Sequence, residues 1–268
     1  KNIHEIKNAF LTFANLLPFY GILGVCCDDR YINEILPNLN RPIKKFGFDK
    51  TADIRATNIS HEEFKSRFDL YVDDTYIDRF EINIPGNHNI SNCLAAITIA
   101  IELNIDTNII KQGISSFQGV QRRLEVTHHL DNGTILIDDY AHHPTEISAS
   151  LSAIKDSLSN RIITVFQPHL FSRTKILCND FARALYKSDI IILSHIYGAR
   201  EKPIQDVSSK LIYNEIKNLG HQDIYLSEDD NKIPRLIKDI YNAGDVIITM
   251  GAGNIFKQNK KIFKEITC

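Results

Sequence analysis

The chain has 268 residues, of which 43% are hydrophobic and 24% are charged, and its formal net charge is -2. This is the composition of an ordinary soluble globular protein of one or two domains. The near balance of charge argues against a strongly basic nucleic-acid binder and against an acidic solvating tail. No apolar run approaches the length of a membrane span. From the charge balance and the short apolar runs together, we expect neither nucleic acid nor a membrane among its partners.

The first part of the chain predicts a helix, then a group of strands, then a pair of helices. The initial helix is indicated by apolar residues at helical spacing from Ile3 to Leu17. Strands are predicted at 21–27, 43–48, 53–59, 68–72 and 76–84. A short helix closed by Pro37 follows the first strand, and the later helices are predicted near 89–103 and 107–117.

After Gly119 the pattern changes to a hairpin followed by alternating strands and helices. Asp131-Asn132-Gly133 joins strands at 124–129 and 134–137. Short apolar strands then alternate with helical stretches. The strands are at 162–166, 190–194, 224–226 and 246–250, and the helices lie near 144–158, 174–187, 206–219, 229–242 and 252–258. This alternation predicts an α/β fold with a mostly parallel sheet covered on both faces, and two domains, 1–118 and 119–268.

The five cysteines form no C-x-x-C pair, so neither a zinc ribbon nor a thioredoxin motif is indicated. Free thiols in a reducing cytoplasm are favoured instead.

Polar clusters follow four of the predicted strands of the second domain. In a parallel sheet, ligands bind at the carboxyl ends of strands. Each cluster alone has a purely structural interpretation, such as Pro144 opening a helix or Ser172 capping one. Together they favour an anionic substrate bound by Arg and His. The clusters are DDYAHHPTE at 138–146, QPHLFSRT at 167–174, YGAREKP at 197–203 and GAGN at 251–254.

Five strings together resemble the Mur ligase family, and the resemblance covers essentially the whole chain. Three of them are the clusters at 138–146, 167–174 and 251–254, the last taken together with Met250. The others are PGNHNISNCLAA from Pro85 and FQGVQRRLE from Phe117 to Glu125. Within the family, the DDYAHHPTE and QPHxxSRT strings match the pattern of the member that joins L-alanine to UDP-N-acetylmuramate. The resemblance implies a partial central mononucleotide-binding domain followed by a Rossmann-like C-terminal domain.

The resemblance also implies ATP-dependent amide formation in the cytoplasm, for peptidoglycan precursor synthesis. The muramyl carboxylate would be phosphorylated to an acyl phosphate, which the amine of L-alanine attacks. Carried over by motif, the site residues fall into three groups. Arg123, at the γ-phosphate, and His142 are catalytic; His88, Asn89 and Asn92 contact adenine and Asp139 the ribose; Tyr140, His169 and Arg173 bind substrate.

The chain departs from the family pattern in two ways. Leu170 and Phe171 stand where the family usually has Arg and Tyr, which puts amino-acid choice in doubt. No G-x-x-x-x-G-K-[ST] string occurs. The family carries its phosphate-binding loop, Mg²⁺ ligands and UDP-binding domain upstream of the region that matches Lys1, so we expect no metal ligands here. We also expect the isolated chain to be inactive and its longer parent to be the catalyst.

Three alternatives remain open from the sequence. One alternative is a non-catalytic remnant or nucleotide-binding module. Another is the related ligase that reattaches recycled murein peptide, although that ligase carries a different string at the positions of Gln167–Thr174. A nicotinamide dehydrogenase rests on fold analogy alone, because the G-x-G-x-x-G fingerprint is missing.

Overall fold

The computed structural model describes residues 2–267 and divides into two compact units, which meet in sequence between Gln118 and Gly119. Both units combine helices with a β-sheet. The α/β fold class predicted from the sequence is therefore confirmed.

The first unit is built on a mixed sheet. Its strands are β1 (Leu23–Cys26), β2 (Ile43–Gly47), β3 (Ile54–Glu62), β4 (Lys65–Val72) and β5 (Thr75–Ile82). Its helices are α1 (Ile3–Asn15), α2 (Arg30–Ile35), α3 (Asn87–Glu102) and α4 (Thr107–Ser116). The sheet order is β1-β2-β3-β4-β5; β1, β2 and β3 pair in parallel, whereas β3, β4 and β5 form an antiparallel meander.

The core of this unit lies between the sheet and α3. In β4 the alternate residues Ser66, Phe68 and Leu70 are buried, as expected for a strand with one covered face. The rings of Phe68 and Phe80 stack with their centroids 5.7 Å apart, and Ile90, Leu94 and Ile97 of α3 are fully buried. The burial of α3 fixes the direction of the Asn-rich segment from which it begins.

Helix α1 forms as predicted, but its apolar face stays open within the described residues. None of its residues is buried, and Phe10 and Phe13 are 62% and 72% exposed. The side chain of Asn2 caps the helix by accepting a hydrogen bond from the backbone N–H of Glu5.

The second unit has a larger, mostly parallel sheet. Its strands are β6 (Glu125–His129), β7 (Ile135–Asp139), β8 (Ile162–Phe166), β9 (Ile190–Leu193), β10 (Ile224–Leu226) and β11 (Val246–Met250). Its helices are α5 (Pro144–Ser157), α6 (Phe171–Ile176), α7 (Cys178–Leu185), α8 (Lys210–Asn218), α9 (Ile233–Ile240) and α10 (Phe256–Thr267). The order is β10-β9-β8-β11-β7-β6, with only β6 antiparallel among the described strands.

The strand order brings four carboxyl ends together. The last strand, β11, returns to the middle of the sheet and pairs with both β7 and β8, and β9 lies on the far side of β8. Because these four strands are parallel, the loops that follow them emerge side by side at one edge. Every residue of β7, β8, β9 and β11 is buried, so the edge is held by a rigid sheet.

Two helix predictions in the second unit are wrong. The single helix predicted at 174–187 is instead two helices, α6 and α7, separated at Leu177, whose backbone leaves the helical region. The helix predicted at 252–258 begins only at Phe256 and continues to Thr267, because Gly251 to Asn254 form a turn.

None of the helices in residues 2–267 is both long and apolar enough to cross a membrane. The thiols of Cys26, Cys27, Cys93 and Cys178 are free, while Cys268 lies outside the described residues.

Candidate active site

Arg122 joins two of the converging strand ends, those of β7 and β11. Its Nε donates to Asp138 Oδ2 at 3.0 Å, and its Nη2 donates to the carbonyl oxygen of Gly251 at 2.6 Å. The guanidinium lies between two aromatic rings, 4.8 Å from the centroid of Tyr140 and 4.5 Å from that of Phe256. These contacts occupy Arg122 within the protein and fix the ring of Tyr140.

The next residue, Arg123, points to the surface. Its side chain is 51% exposed, its Nη1 lies 3.8 Å from Glu146 Oε1, and its guanidinium is 5.6 Å from the Tyr140 centroid. The backbone around it is strained, because Arg122 and Leu124 adopt φ angles of +59° and +46°. This turn sends two consecutive arginines in different directions, so that one is structural and the other is available to a ligand.

His142 and Glu146 form a pair where β7 leads into α5. Glu146 Oε2 accepts from the backbone N–H groups of His142 and His143 at 2.9 and 3.1 Å, within a capping box at the start of the helix. His142 Nδ1 lies 2.9 Å from the carbonyl oxygen of Tyr140, which can only accept. A proton is therefore assigned to Nδ1, and Nε2 is the nitrogen left to face a ligand.

The surroundings of Glu146 keep it ionised. Partial burial acts to raise its pKa, but the backbone N–H groups and the charges of His142 and Arg123 outweigh burial and lower the pKa below its ordinary value. A permanent carboxylate at this point orients both His142 and Arg123.

His169 and Arg173 extend the site from the loop after β8. The ring centroids of His169 and His142 are 5.7 Å apart, and Arg173 Nη1 donates to the carbonyl oxygen of His142 at 3.3 Å. His169 Nδ1 is buried and has no hydrogen-bond partner among the described residues. Burial, followed by the charges of His142 and Arg173, lowers the pKa of His169, so that its ring is neutral near pH 7.

Asp139 lies at the same strand end, but its carboxylate points inward. It is 2% exposed, accepts from the backbone N–H of Ala141 at 3.1 Å and also accepts from Ser150 Oγ. Burial raises its pKa to about 6. A direct contact with a ribose would have to use a second lone pair on an almost inaccessible oxygen.

The turn after β11 is held by Gln167. Its Nε2 donates to Asn254 Oδ1 at 2.9 Å and its Oε1 accepts from the backbone N–H of Ile255 at 3.2 Å. A Cβ at Gly253 would lie 2.3 Å from Gln167 Oε1. Only glycine therefore lets the turn pass this close to the side chain.

The remaining predicted residues belong to the first unit, at the start of α3. The helix begins after Gly86, whose φ is +99°. Asn89 is half-buried and its Nδ2 donates to the carbonyl oxygen of Pro85 at 2.7 Å, while Asn92 is exposed and His88 is half-buried.

The structure thus links five of the predicted residues by direct contacts, turns Asp139 away from them, and carries His88, Asn89 and Asn92 in the other unit. The linked residues are Arg123, Tyr140, His142, His169 and Arg173. The sequence analysis did not include Glu146 among the site residues, although its position four residues after His142 was a usable signal. Among residues 2–267 no group of three or more His, Cys, Asp or Glu side chains is placed to hold a metal ion.

Comparisons with known proteins identify the family. The model of the Mur ligase middle domain matches residues 1–100, and that of the Mur ligase glutamate ligase domain matches residues 122–253. The chain belongs to the Mur ligase family.

Individual relatives agree with this assignment. A UDP-N-acetylmuramate–L-alanine ligase of Geotalea daltonii is 38% identical over 264 residues, which are 98% of this chain and 57% of that protein. The crystal structure of the UDP-N-acetylmuramate–alanine ligase of Thermotoga maritima has a TM-score of 0.80 at 23% identity, covering 100% of this chain and 56% of that one.

The MurF ligase of Thermotoga maritima in complex with ADP has a TM-score of 0.74 at 15% identity, covering 98% of this chain and 57% of that one. At these identities the structural likeness concerns the fold. The chain spans a little over half the length of the curated relatives it matches.

The two arginines should differ sharply in their effect on stability. Arg122→Ala leaves the buried carboxylate of Asp138 without its cationic partner, with the hydroxyl of Thr249 still donating to it, so we expect the free energy of unfolding to fall by about 3 kcal/mol. Arg123→Ala removes a half-exposed charge and should cost less than about 0.5 kcal/mol. Urea unfolding of both variants measures the difference, and equal losses would contradict the division of roles.

Asp139 should make stability depend on pH. Its folded pKa of about 6 lies above the value of roughly 3.9 for an unfolded aspartate. Native protein therefore binds the proton more tightly, and stability falls as pH rises from about 4 to about 6. Asp139→Asn should remove about 2–3 kcal/mol of this fall, measured by urea unfolding across the range. Asp156→Asn, the same substitution at an exposed aspartate, is the matched control.

Proposed function

We propose that the protein containing this chain joins L-alanine to UDP-N-acetylmuramate at the expense of ATP, in the cytoplasm, as a step of peptidoglycan precursor synthesis. The proposal takes its substrates from the named relatives, and the ADP in the related MurF structure supports ATP as the nucleotide. Mg²⁺ is included as the usual partner of ATP.

The observation that carries the proposal is the exposed guanidinium of Arg123. Phosphoryl transfer needs positioned positive charge more than it needs covalent chemistry. Arg123 is held by a strained turn, is oriented by Glu146 and lies beside the ring of Tyr140. These contacts suit a group that reaches the transferring γ-phosphate.

The neighbouring residues suit the second half of the reaction. Arg173 keeps N–H donors beyond its bond to His142 for the carboxylate of L-alanine, because a guanidinium has five of them. The imidazole rings of His142 and His169 lie near that point, with their centroids 5.7 Å apart. The amine attacks the carbonyl carbon of the acyl phosphate, the C–O bond breaks and inorganic phosphate leaves; we assign His142 Nε2 to take the proton that the amine loses.

The nucleotide assignments are proposed from the sequence motif. His88, Asn89 and Asn92 are assigned to adenine, where a carboxamide can pair with both donor and acceptor positions of the base. Asp139 is assigned to the ribose, and its inward carboxylate makes it the most demanding of these assignments. We also propose that residues 1–118 are the end of the ATP-binding domain and that residues 119–268 are the Rossmann-like C-terminal domain.

Phosphate release tests the activity directly. The protein containing this chain is assayed with ATP, Mg²⁺, UDP-N-acetylmuramate and L-alanine, and each component is omitted in turn. We expect release that needs both acceptor and amino acid. Release supported by a murein peptide in place of L-alanine would favour the recycling ligase, and ATP binding without release would favour a non-catalytic nucleotide-binding module.

Replacing Arg123 should slow the chemical step and spare nucleotide binding. We expect Arg123→Ala to lower kcat by about 10³-fold, as for other arginines that stabilise a transferring phosphoryl group. The dissociation constant for ATP should change by less than about threefold, since the ground state gains little from the same contact. Arg123→Lys keeps the charge but loses the planar guanidinium group, so its kcat should lie between those of the wild type and Arg123→Ala. A loss of ATP binding as large as the loss of rate would contradict this role.

Arg173→Ala should act on the amino acid. Losing a charge-assisted contact worth about 1.5–3 kcal/mol corresponds to a rise of about 10- to 100-fold in the KM for L-alanine. The KM for ATP serves as the internal control and should stay constant. An unchanged KM for L-alanine would show that its carboxylate is bound elsewhere.

A further inference from the structure

The loops that follow β8 and β9 continue to pair after the strands have ended. The backbone N–H of Tyr197 donates to the carbonyl oxygen of Pro168 at 2.8 Å, and the N–H of Leu170 donates to that of Tyr197 at 3.0 Å. These bonds form a parallel bridge between His169 and Tyr197. The position of His169 is therefore tied to the segment at 197–203, in which the sequence analysis named no individual site residue.

Side chains reinforce the same junction. The rings of His169 and Tyr197 stack with their centroids 5.8 Å apart and an angle of 18° between them. At Gly198 a Cβ would lie 2.7 Å from Phe171 Cε2, so the two loops are in close contact. Movement of either loop would displace the other.

Glu201 closes the junction at the start of α6. Its backbone N–H donates to the carbonyl oxygen of Gly198 at 2.8 Å, which turns the loop back. Its carboxylate accepts from the backbone N–H of Ser172 at 2.9 Å and from the hydroxyl of Ser172. It thereby satisfies an N–H group that the first turn of a helix leaves without an intrahelical partner.

Helix α6 depends on this contact, because it is not stable on its own. Helix α6 has six residues, which is too short to be stable alone. It follows Leu170, whose φ of +71° is unfavourable for a branched side chain. Arg173 is the third residue of this helix, so its direction depends on what anchors the first turn.

We propose that Glu201 is a positioning residue of the amino-acid site, acting through Ser172 to fix Arg173 and through the paired loops to fix His169. The carboxylate of Glu201 binds the backbone N–H and the hydroxyl of Ser172, so its effect on a ligand is exerted through these residues. This inference rests on the proposed function, because it assumes that Arg173 binds the carboxylate of the amino acid.

Electrostatics keep the anchor in place at neutral pH. The hydrogen bonds from Ser172 lower the pKa of Glu201, and the charge of Arg173 lowers it further, so the carboxylate is ionised. An amide of the same shape can still accept from the N–H of Ser172 and donate to its hydroxyl oxygen. Glutamine should therefore retain the anchor, whereas alanine should not.

The test compares Glu201→Ala, Glu201→Gln and Ser172→Ala in the protein containing this chain. We expect Glu201→Ala to raise the KM for L-alanine about tenfold and to leave the KM for ATP unchanged. Glu201→Gln should stay within about twofold of the wild type, and Ser172→Ala, which keeps the N–H bond, should be intermediate. Glu228→Ala, at an exposed glutamate in the same unit, is the matched control.

Hydrogen exchange gives a second readout that does not need turnover. The amides from Ser172 to Ile176 should exchange faster in Glu201→Ala than in the wild type or in Glu201→Gln. An unchanged KM for L-alanine in Glu201→Ala would overturn the proposal. A rise of equal size in the KM for ATP, or a glutamine variant as impaired as the alanine variant, would also overturn it.

The wild type separates this inference from the proposed function. Absence of turnover that depends on L-alanine in the wild type would refute the proposed function, and the amino-acid role of Glu201 with it. Turnover in the wild type combined with an unaffected Glu201→Ala would refute only the role of Glu201.

Discussion

The contacts of Arg122 hold together the edge of the second sheet at which the parallel strands end. Its guanidinium bonds to Asp138 at the end of β7 and to the carbonyl oxygen of Gly251 at the end of β11, and two aromatic rings enclose it. Buried parallel strands determine where the four loops begin, but they do not determine which side chains face outward. At this point Arg122 determines the outward side chain, because its guanidinium lies between the ends of β7 and β11 and Arg123 remains at the surface.

Glu146 has a similar function where β7 leads into α5. One carboxylate oxygen caps α5 and lies near the ring of His142, while the other faces Arg123. A helix-capping interaction, which is common in all proteins, is here also the means by which two neighbouring candidate catalytic groups are oriented. The same residue thus contributes to folding and to the arrangement of the site, so its substitution affects both stability and the geometry of the candidate catalytic groups.

The sequence predicted the fold class, the order of the elements and the four polar loops, because these depend on local periodicity and on the rule that parallel strands end at one edge. It failed where a long-range contact decides the local structure. The turn from Gly251 to Asn254 exists because Gln167, more than 80 positions earlier, bonds to both its end and the residue after it. The inward carboxylate of Asp139 depends on Ser150, and the different directions of Arg122 and Arg123 depend on their partners. None of these follows from spacing along the chain.

The bridge between His169 and Tyr197 has a consequence for changing substrate preference. Two loops that share main-chain hydrogen bonds behave as one part during evolution or engineering, because a substitution in one shifts the backbone of the other. Variation at Leu170 or Phe171 is therefore best tested together with variation in the segment from Tyr197 to Glu201. Libraries that randomise a single loop would sample mostly misaligned pockets, whereas exchanging both segments as a unit between relatives preserves the geometry that makes either of them useful.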